Sequence, residues 1–230
     1  ESFDEICDNF AHWDEIDVFH RGKCIRTGGH GFSGLERKKL LHILQARCSA
    51  VGVSLHFESE VSSDEFASRD LVLVCDGVNS QIRAMNDEAF HPQLDWRPNR
   101  FVWLGSTRRF DAFTFFFREN EHGLWRVHAY QYAEGKSTFI VEATEETWEQ
   151  SGLGDGTEED TIAYLEDLFA EELEGHPLMK NRSVWRQFPT VKNEHWFSGN
   201  LVLMGDAAHT AHFSIGSGTK LAMEDGIALR

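Results

Sequence analysis

Gly205, Asp206, Ala207, Ala208 and His209 follow directly on the apolar run 201–204, and Gly216, Ser217, Gly218 and Thr219 open the next helical pattern. A carboxylate at a strand tip accepts hydrogen bonds from a hydroxylated chain, and glycines let a planar group approach free backbone N–H groups at the positive end of a helix. The chemistry suited to this arrangement is the binding of a cofactor that carries hydroxyls and a ring on which negative charge accumulates. The same residues also read as an ordinary strand, loop and helix in which Asp206 is a cap and the glycines make turns. His209 and His212 have the spacing of a metal pair, but no third ligand accompanies them, so pocket lining or packing is expected and no metal. Asp76 and Gly77 form a second carboxylate–glycine pair at the end of the apolar run 71–75.

Positioning these residues requires strands that end at them and helices that follow. Leucines at 35, 40, 41 and 44 predict a helix over residues 33–51 that starts at Ser33 or Gly34 and stops before Gly52. Alternation predicts a strand over 53–57, a charged loop or hairpin over 58–70, and a buried strand over 71–75. From about residue 91 the texture becomes aromatic, with strands over 101–106, 112–118, 124–132 and 138–143 in a mostly antiparallel sheet. Trp103, Phe113, Phe115, Phe117 and Trp125 alternate there, so one face is either sheet core or the lining of a substrate cavity. An amphipathic helix over 158–173, a buried strand over 201–204 and a helix from near Gly216 complete the pattern. The expected fold class is α/β, α+β overall.

The chain has 230 residues, enough for a sizeable core, and 22 Lys+Arg against 38 Asp+Glu give a net charge of −16. That balance repels nucleic acid and anionic membrane surfaces. Cys7, Cys24, Cys48 and Cys75 have no metal-binding or disulfide spacing, which fits a reducing cytoplasm. No apolar run approaches the roughly 18 residues of a membrane span.

Three motifs in order carry a family resemblance. Arg37, Leu40 and Leu44 match a helix pattern R-x-x-L-x-x-x-L; Asp76, Gly77, Ser80 and Arg83 match an Asp-Gly element; and residues 205–209 read Gly-Asp-Ala-Ala-His. The chain thus resembles the class A flavoprotein monooxygenases, the FAD-dependent aromatic hydroxylases of the p-hydroxybenzoate hydroxylase type. Residues 28–34, 101–105 and 212–225 are similar to the branch of salicylyl-CoA 5-hydroxylases and 2-aminobenzoyl-CoA (anthraniloyl-CoA) monooxygenases, although Phe213 and Lys220 stand where the wider family has Pro and Asn.

The resemblance implies an FAD domain at 1–90 with residues 1–32 near the substrate, an inserted substrate domain with an antiparallel sheet at 91–195, and an FAD-domain return segment at 196–230. It implies cofactor contacts by Arg37, Asp76, Gly205, Asp206, Gly216, Ser217, Gly218 and Thr219, Asp206 holding the ribityl chain. Substrate contacts are expected from His209, His212 and Phe213. The family activity is oxygen transfer from a flavin hydroperoxide, made with NADH or NADPH and O2, to an electron-rich ring, here a CoA thioester. Catalysis resides in the flavin. Asp76 as a turn former and Arg37 as a surface charge remain the plainer readings, and a flavin reductase or oxidase, or an inactive remnant, the alternatives in function. No GxGxxG turn precedes residue 1, so this polypeptide by itself is expected to hold FAD weakly or not at all. The Arg97, Arg100, Arg108, Arg109 and Arg21, Lys23, Arg26 clusters are the candidates to meet CoA phosphates.

Overall fold

The structure is a computed structural model that describes residues 2–230, the side chains of 63, 64 and 215 aside; residue 1, where the expected first segment opens, lies outside the described residues. Two compact units are present. One comprises residues 2–57 with Asn99–Arg186, the other Glu58–Pro98 with Gln187–Arg230. The compact units divide the chain at 57/58, 98/99 and 186/187.

The reason lies in strand pairing. Ile16–His20 runs parallel to Phe113–Asn120 in register, Ile16 opposite Phe113 and His20 opposite Phe117, which draws the first segment into the aromatic sheet. That sheet has the order Leu178–Met179, Pro92–Ser106, Lys136–Ala143, Gly123–Ala133, Phe113–Asn120, Ile16–His20, Lys23–Thr27. All four expected aromatic strands are present, and their mutual pairings are antiparallel.

Side chains alternate across a strand, so the sheet has two faces of different character. Val102, Leu104, Phe116, Trp125, Val127, Phe139 and Val141 are buried on one, against Leu165, Phe169 and Leu173. Phe113, Phe115 and Phe117, of the opposite parity, are half-buried on the other. Trp125 therefore does not share a face with Phe113: it is fully buried core, its Nε1 donating to Asn120 Oδ1 at 3.1 Å.

Several sequence expectations shift. The helix begins at Arg37, as Arg37–Ala50, because Phe32–Gly34 pairs with Ala11–Trp13 as a strand. Gly34 lies so close to Trp13 that a Cβ there would sit 2.9 Å from the indole. Residues 53–57 form no strand: the Val53 N–H donates to Cys48 O at 2.9 Å, closing the helix end, and alternation without a ladder partner does not make a strand. The expected loop at 58–70 contains a short helix, Ser63–Ala67. The helix expected over 158–173 breaks at buried Phe169 into Glu158–Leu168 and Ala170–Leu173, its first turn capped by Thr157 and Asp160.

The second unit is built on a three-stranded sheet, Phe197–Ser198, Leu201–Leu203, Val72–Val74. The last two strands are parallel, Leu201 opposite Val72 and Leu203 opposite Val74. Val74, Phe90, Leu201, Leu203, Ala207 and Ala208 form its core. The strand expected to be buried over 71–75 is three residues long at the edge of this sheet, and only Val74 is buried while Leu71 and Leu73 are exposed.

Because Trp125 is fully enclosed and hydrogen-bonded, Trp125→Ala should cost about 3–5 kcal/mol of stability in urea unfolding.

Candidate functional site

The site is assembled at the carboxyl end of Leu201–Leu203. Met204 N–H donates to Val74 O at 3.0 Å, carrying the parallel ladder one residue beyond the strand, and the chain then turns through the 3-10 segment Gly205–Ala207. Gly205 has φ +55°, and a Cβ on it would lie 3.3 Å from Ala222 Cβ, so both the turn and the close approach of the following helix require glycine. Asp206 is exposed, and among the described residues no hydrogen bond or ion pair holds its carboxylate.

Three side chains hold this turn in place. Arg83, 4% exposed, donates through Nη1 to Ala207 O at 2.9 Å and through Nη2 to Val78 O at 2.6 Å. Burial lowers the pKa of its guanidinium, with the Asp76 charge acting in the opposite direction. Asn193 Nδ2 donates to Ala208 O at 2.5 Å and Ala207 O at 3.3 Å. Asp225, from the helix Gly218–Ala228, accepts the Gly205 N–H at 2.7 Å through Oδ2 and faces His209 Nε2 at 3.0 and 3.1 Å. Burial raises the pKa of the Cys75 thiol, and the charges of Asp76 and Asp225 raise it further.

The expected site residues separate into groups. Gly205, Asp206 and His209 share the turn, but His209 is held by Asp225 and stacks on Trp196 with ring centroids 4.7 Å apart, so its visible neighbours brace the turn. His212 turns elsewhere: its Nδ1 lies 2.8 Å from Ser214 Oγ and its ring meets Phe188 and Phe213 at 5.1 and 4.3 Å. Gly216 and Ser217 precede the helix, which begins at Gly218 and not Gly216, since 213–215 form a 3-10 turn. Ser217 makes no side-chain cap, and Cβ atoms on Gly216 or Gly218 would meet nothing within 4 Å, so the helix mouth at Thr219 is open. Asp76 accepts the Gln81 and Ile82 N–H groups at 3.0 and 3.4 Å, serving the helix Gln81–Met85. Arg37 belongs to the other unit, exposed at the start of its helix.

These features fit FAD on the chain's own evidence: an exposed carboxylate without a partner, a rigid turn beneath it, and an uncapped helix mouth flanked by open glycines. Sequence reasoning assigned no role to Asp225, Arg83, Asn193 or Trp196. Arg83 and Asp225 lie within motifs singled out there, but nothing in the spacing signals that they reach the turn. Asn193 and Trp196 carry no such signal.

The cations expected to meet CoA phosphates are largely engaged with carboxylates. Arg21 lies beside Glu119 at 3.3 Å, Arg26 beside Asp17 at 2.5 Å, Arg97 beside Asp95 at 3.3 Å, Arg100 beside Glu145 at 2.6 Å, Arg108 beside Glu174 at 2.7 Å and Arg109 beside Asp111 at 2.8 Å.

Arg83→Met would strip two carbonyls of a buried donor, an expected loss of about 1–3 kcal/mol in urea unfolding that Arg83→Lys, with no planar fork, restores only in part.

The family profile described as FAD binding domain matches residues 57–230. Salicyloyl-CoA 5-hydroxylase of a Streptomyces species is 44% identical over 227 residues, covering 95% of this chain and 44% of the relative. The 3-hydroxy-4-methyl-anthranilyl-[aryl-carrier protein] 5-monooxygenase of Streptosporangium sibiricum is 35% identical over 226 residues, covering 98% and 60%. The chain thus spans about half the length of the curated relatives it matches. The solved structure of tetrameric 2-methyl-3-hydroxypyridine-5-carboxylic acid oxygenase shares the fold at a TM-score of 0.72 and 18% identity, over 96% of this chain and 64% of that one. The chain belongs to the family described as FAD binding domain, whose model covers most of it.

Proposed function

We propose that this chain forms the flavin- and substrate-binding part of a monooxygenase that hydroxylates an electron-rich benzoyl ring carried as a thioester, with O2 as oxygen source and NADH or NADPH as reductant. The observation that carries the reading is the exposed Asp206 carboxylate, fixed at the strand tip beside an open helix mouth. Asp206 accepts hydrogen bonds from the ribityl hydroxyls, while Gly216, Ser217, Gly218 and Thr219 present backbone to the ring. FAD, when bound, supplies the redox and oxygen-activating chemistry. In this reading Arg37 and Asp76 also serve the cofactor.

The substrate side is assigned to the second face of the large sheet. Phe113 stacks on Tyr130 with centroids 5.2 Å apart and planes 13° apart, and meets Phe32 at 5.3 Å and Phe115 at 5.1 Å. Such a surface receives a flat ring by offset stacking. His212 and Phe213 remain candidate substrate contacts through the aromatic cluster they form with Phe188. An ortho hydroxyl or amino group donates electrons to the carbon para to it, which favours position 5 for a 2-hydroxy- or 2-aminobenzoyl group.

The substrate class is supported by the names of the two relatives, one acting on a CoA thioester and the other on an acyl group held by a carrier protein. The engaged arginines favour recognition through the acyl end over the nucleotide end. The full-length protein should therefore turn over the N-acetylcysteamine thioester of 2-hydroxybenzoate with a kcat/KM within about tenfold of the CoA ester, since lost surface ion pairs are worth about 1 kcal/mol or less.

The deciding experiment supplies the full-length protein with 2-hydroxybenzoyl-CoA, NAD(P)H and isotopically labelled O2. One labelled oxygen on the ring for each nicotinamide oxidised is expected. Nicotinamide oxidation that yields only peroxide would make the protein an oxidase. Asp206→Ala should weaken FAD binding about tenfold or more, read by quenching of flavin fluorescence.

A further inference from the structure

We infer that Asp225 is the positioning residue of the flavin site, locking the Gly205–His209 turn and the mouth of its own helix into one rigid body; this rests on the flavin reading above. One carboxylate makes the connection twice. Its Oδ2 accepts the Gly205 N–H at 2.7 Å, immediately before Asp206, and its two oxygens lie 3.0 and 3.1 Å from His209 Nε2, beyond it. The exposed carboxylate of Asp206 is thereby suspended between two points pinned to the same side chain. Ala222, one turn earlier on the helix, packs against Gly205 so closely that a Cβ there would lie 3.3 Å from the Ala222 Cβ. The helix whose first turn is the open mouth therefore cannot shift without moving Asp206.

The chemistry of the pair sets the state of His209. An ionised carboxylate only accepts hydrogen bonds, so the ring must present a proton on Nε2. The imidazole is 24% exposed and Asp225 14%, and Trp196 covers one ring face. Asn at 225 can keep both contacts: an amide oxygen in the place of Oδ2 accepts the Gly205 N–H and lies within reach of the His209 Nε2 proton, whereas Ala at 225 offers neither.

The test uses the full-length protein and two readouts. Hydrogen exchange of residues 205–209, measured without added flavin, should quicken about tenfold or more in Asp225→Ala. FAD affinity, from fluorescence quenching, should fall about tenfold or more in Asp225→Ala. Asp225→Asn, which keeps an acceptor in the place of Oδ2, should restore both the slow exchange and most of the FAD affinity that Asp225→Ala loses. Unchanged exchange in Asp225→Ala, or an Asp225→Asn variant as impaired as Asp225→Ala, would overturn the inference. If Asp225→Ala does not fold, Asp225→Ser, too short to hold both contacts, is read by the same exchange measurement. A native protein that takes up no FAD sinks the flavin reading instead, and the exchange experiment still decides whether Asp225 holds the turn.

Discussion

A buried guanidinium, that of Arg83, sets the terms for the second unit. The turn after a parallel strand leaves backbone carbonyls inside the protein that no ladder can satisfy, and each unpaired one costs about 1–3 kcal/mol. Arg83 answers two of them at once, bonding Val78 O on its own side and Ala207 O across a sequence separation of 124 residues. A planar fork with several fixed donors can do this; a flexible ammonium cannot hold both carbonyls in the same geometry. Asn193 supplies the neighbouring carbonyl of Ala208, and Asp225 supplies the acceptor for Gly205 N–H. The backbone around Asp206 is thus fixed from three directions while its side chain is left to solvent. Rigidity beneath an open carboxylate is what preorganised binding of a polyol requires.

The aromatic sheet solves a different problem with the same economy. A two-residue period lets one set of strands serve a core and a surface together. Trp125, Phe116 and Phe139 take the inner parity and pack under a helix pair; Phe113, Phe115 and Tyr130 take the outer and stack on one another. Glu142 shows how the outer face tolerates polarity. It is 5% exposed yet bonded by Asn99 at 2.7 Å and Arg126 at 3.2 Å, so its charge is compensated where it lies. An aromatic surface with compensated charge at one side is a workable floor for a ring bearing a polar substituent.

What the sequence disclosed follows the range of the interactions involved. The four aromatic strands and the 201–203 strand were legible because period-two alternation and apolar runs are local signals. The exposed carboxylate at 206 was legible because its motif is short and contiguous. Residues 53–57 misled, since alternation is necessary for a strand but a ladder partner is supplied only by tertiary structure. The helix start at Arg37 was obscured in the same way: residues 32–34 have a partner at 11–13 that no local pattern announces. The bracing roles of Arg83, Asn193 and Asp225 were not legible, although Arg83 and Asp225 lie in recognised motifs, because the partners are backbone atoms or a residue far off in sequence and no local pattern announces them.

Charge alone does not explain why Asp206 stands free. With 38 acidic residues and 22 lysines and arginines, many carboxylates must lack a cation wherever they lie, so absence of an ion pair is the common state of an aspartate in this chain. Position makes the case at 206. Other carboxylates near the turn are in use: Asp225 on Gly205 and His209, Asp76 on the Gln81 and Ile82 N–H groups. Among the described residues Asp206 is bonded to none of its fixed neighbours, so its acceptors stay open, and under the proposed function the hydroxyls of a ligand would supply their donors.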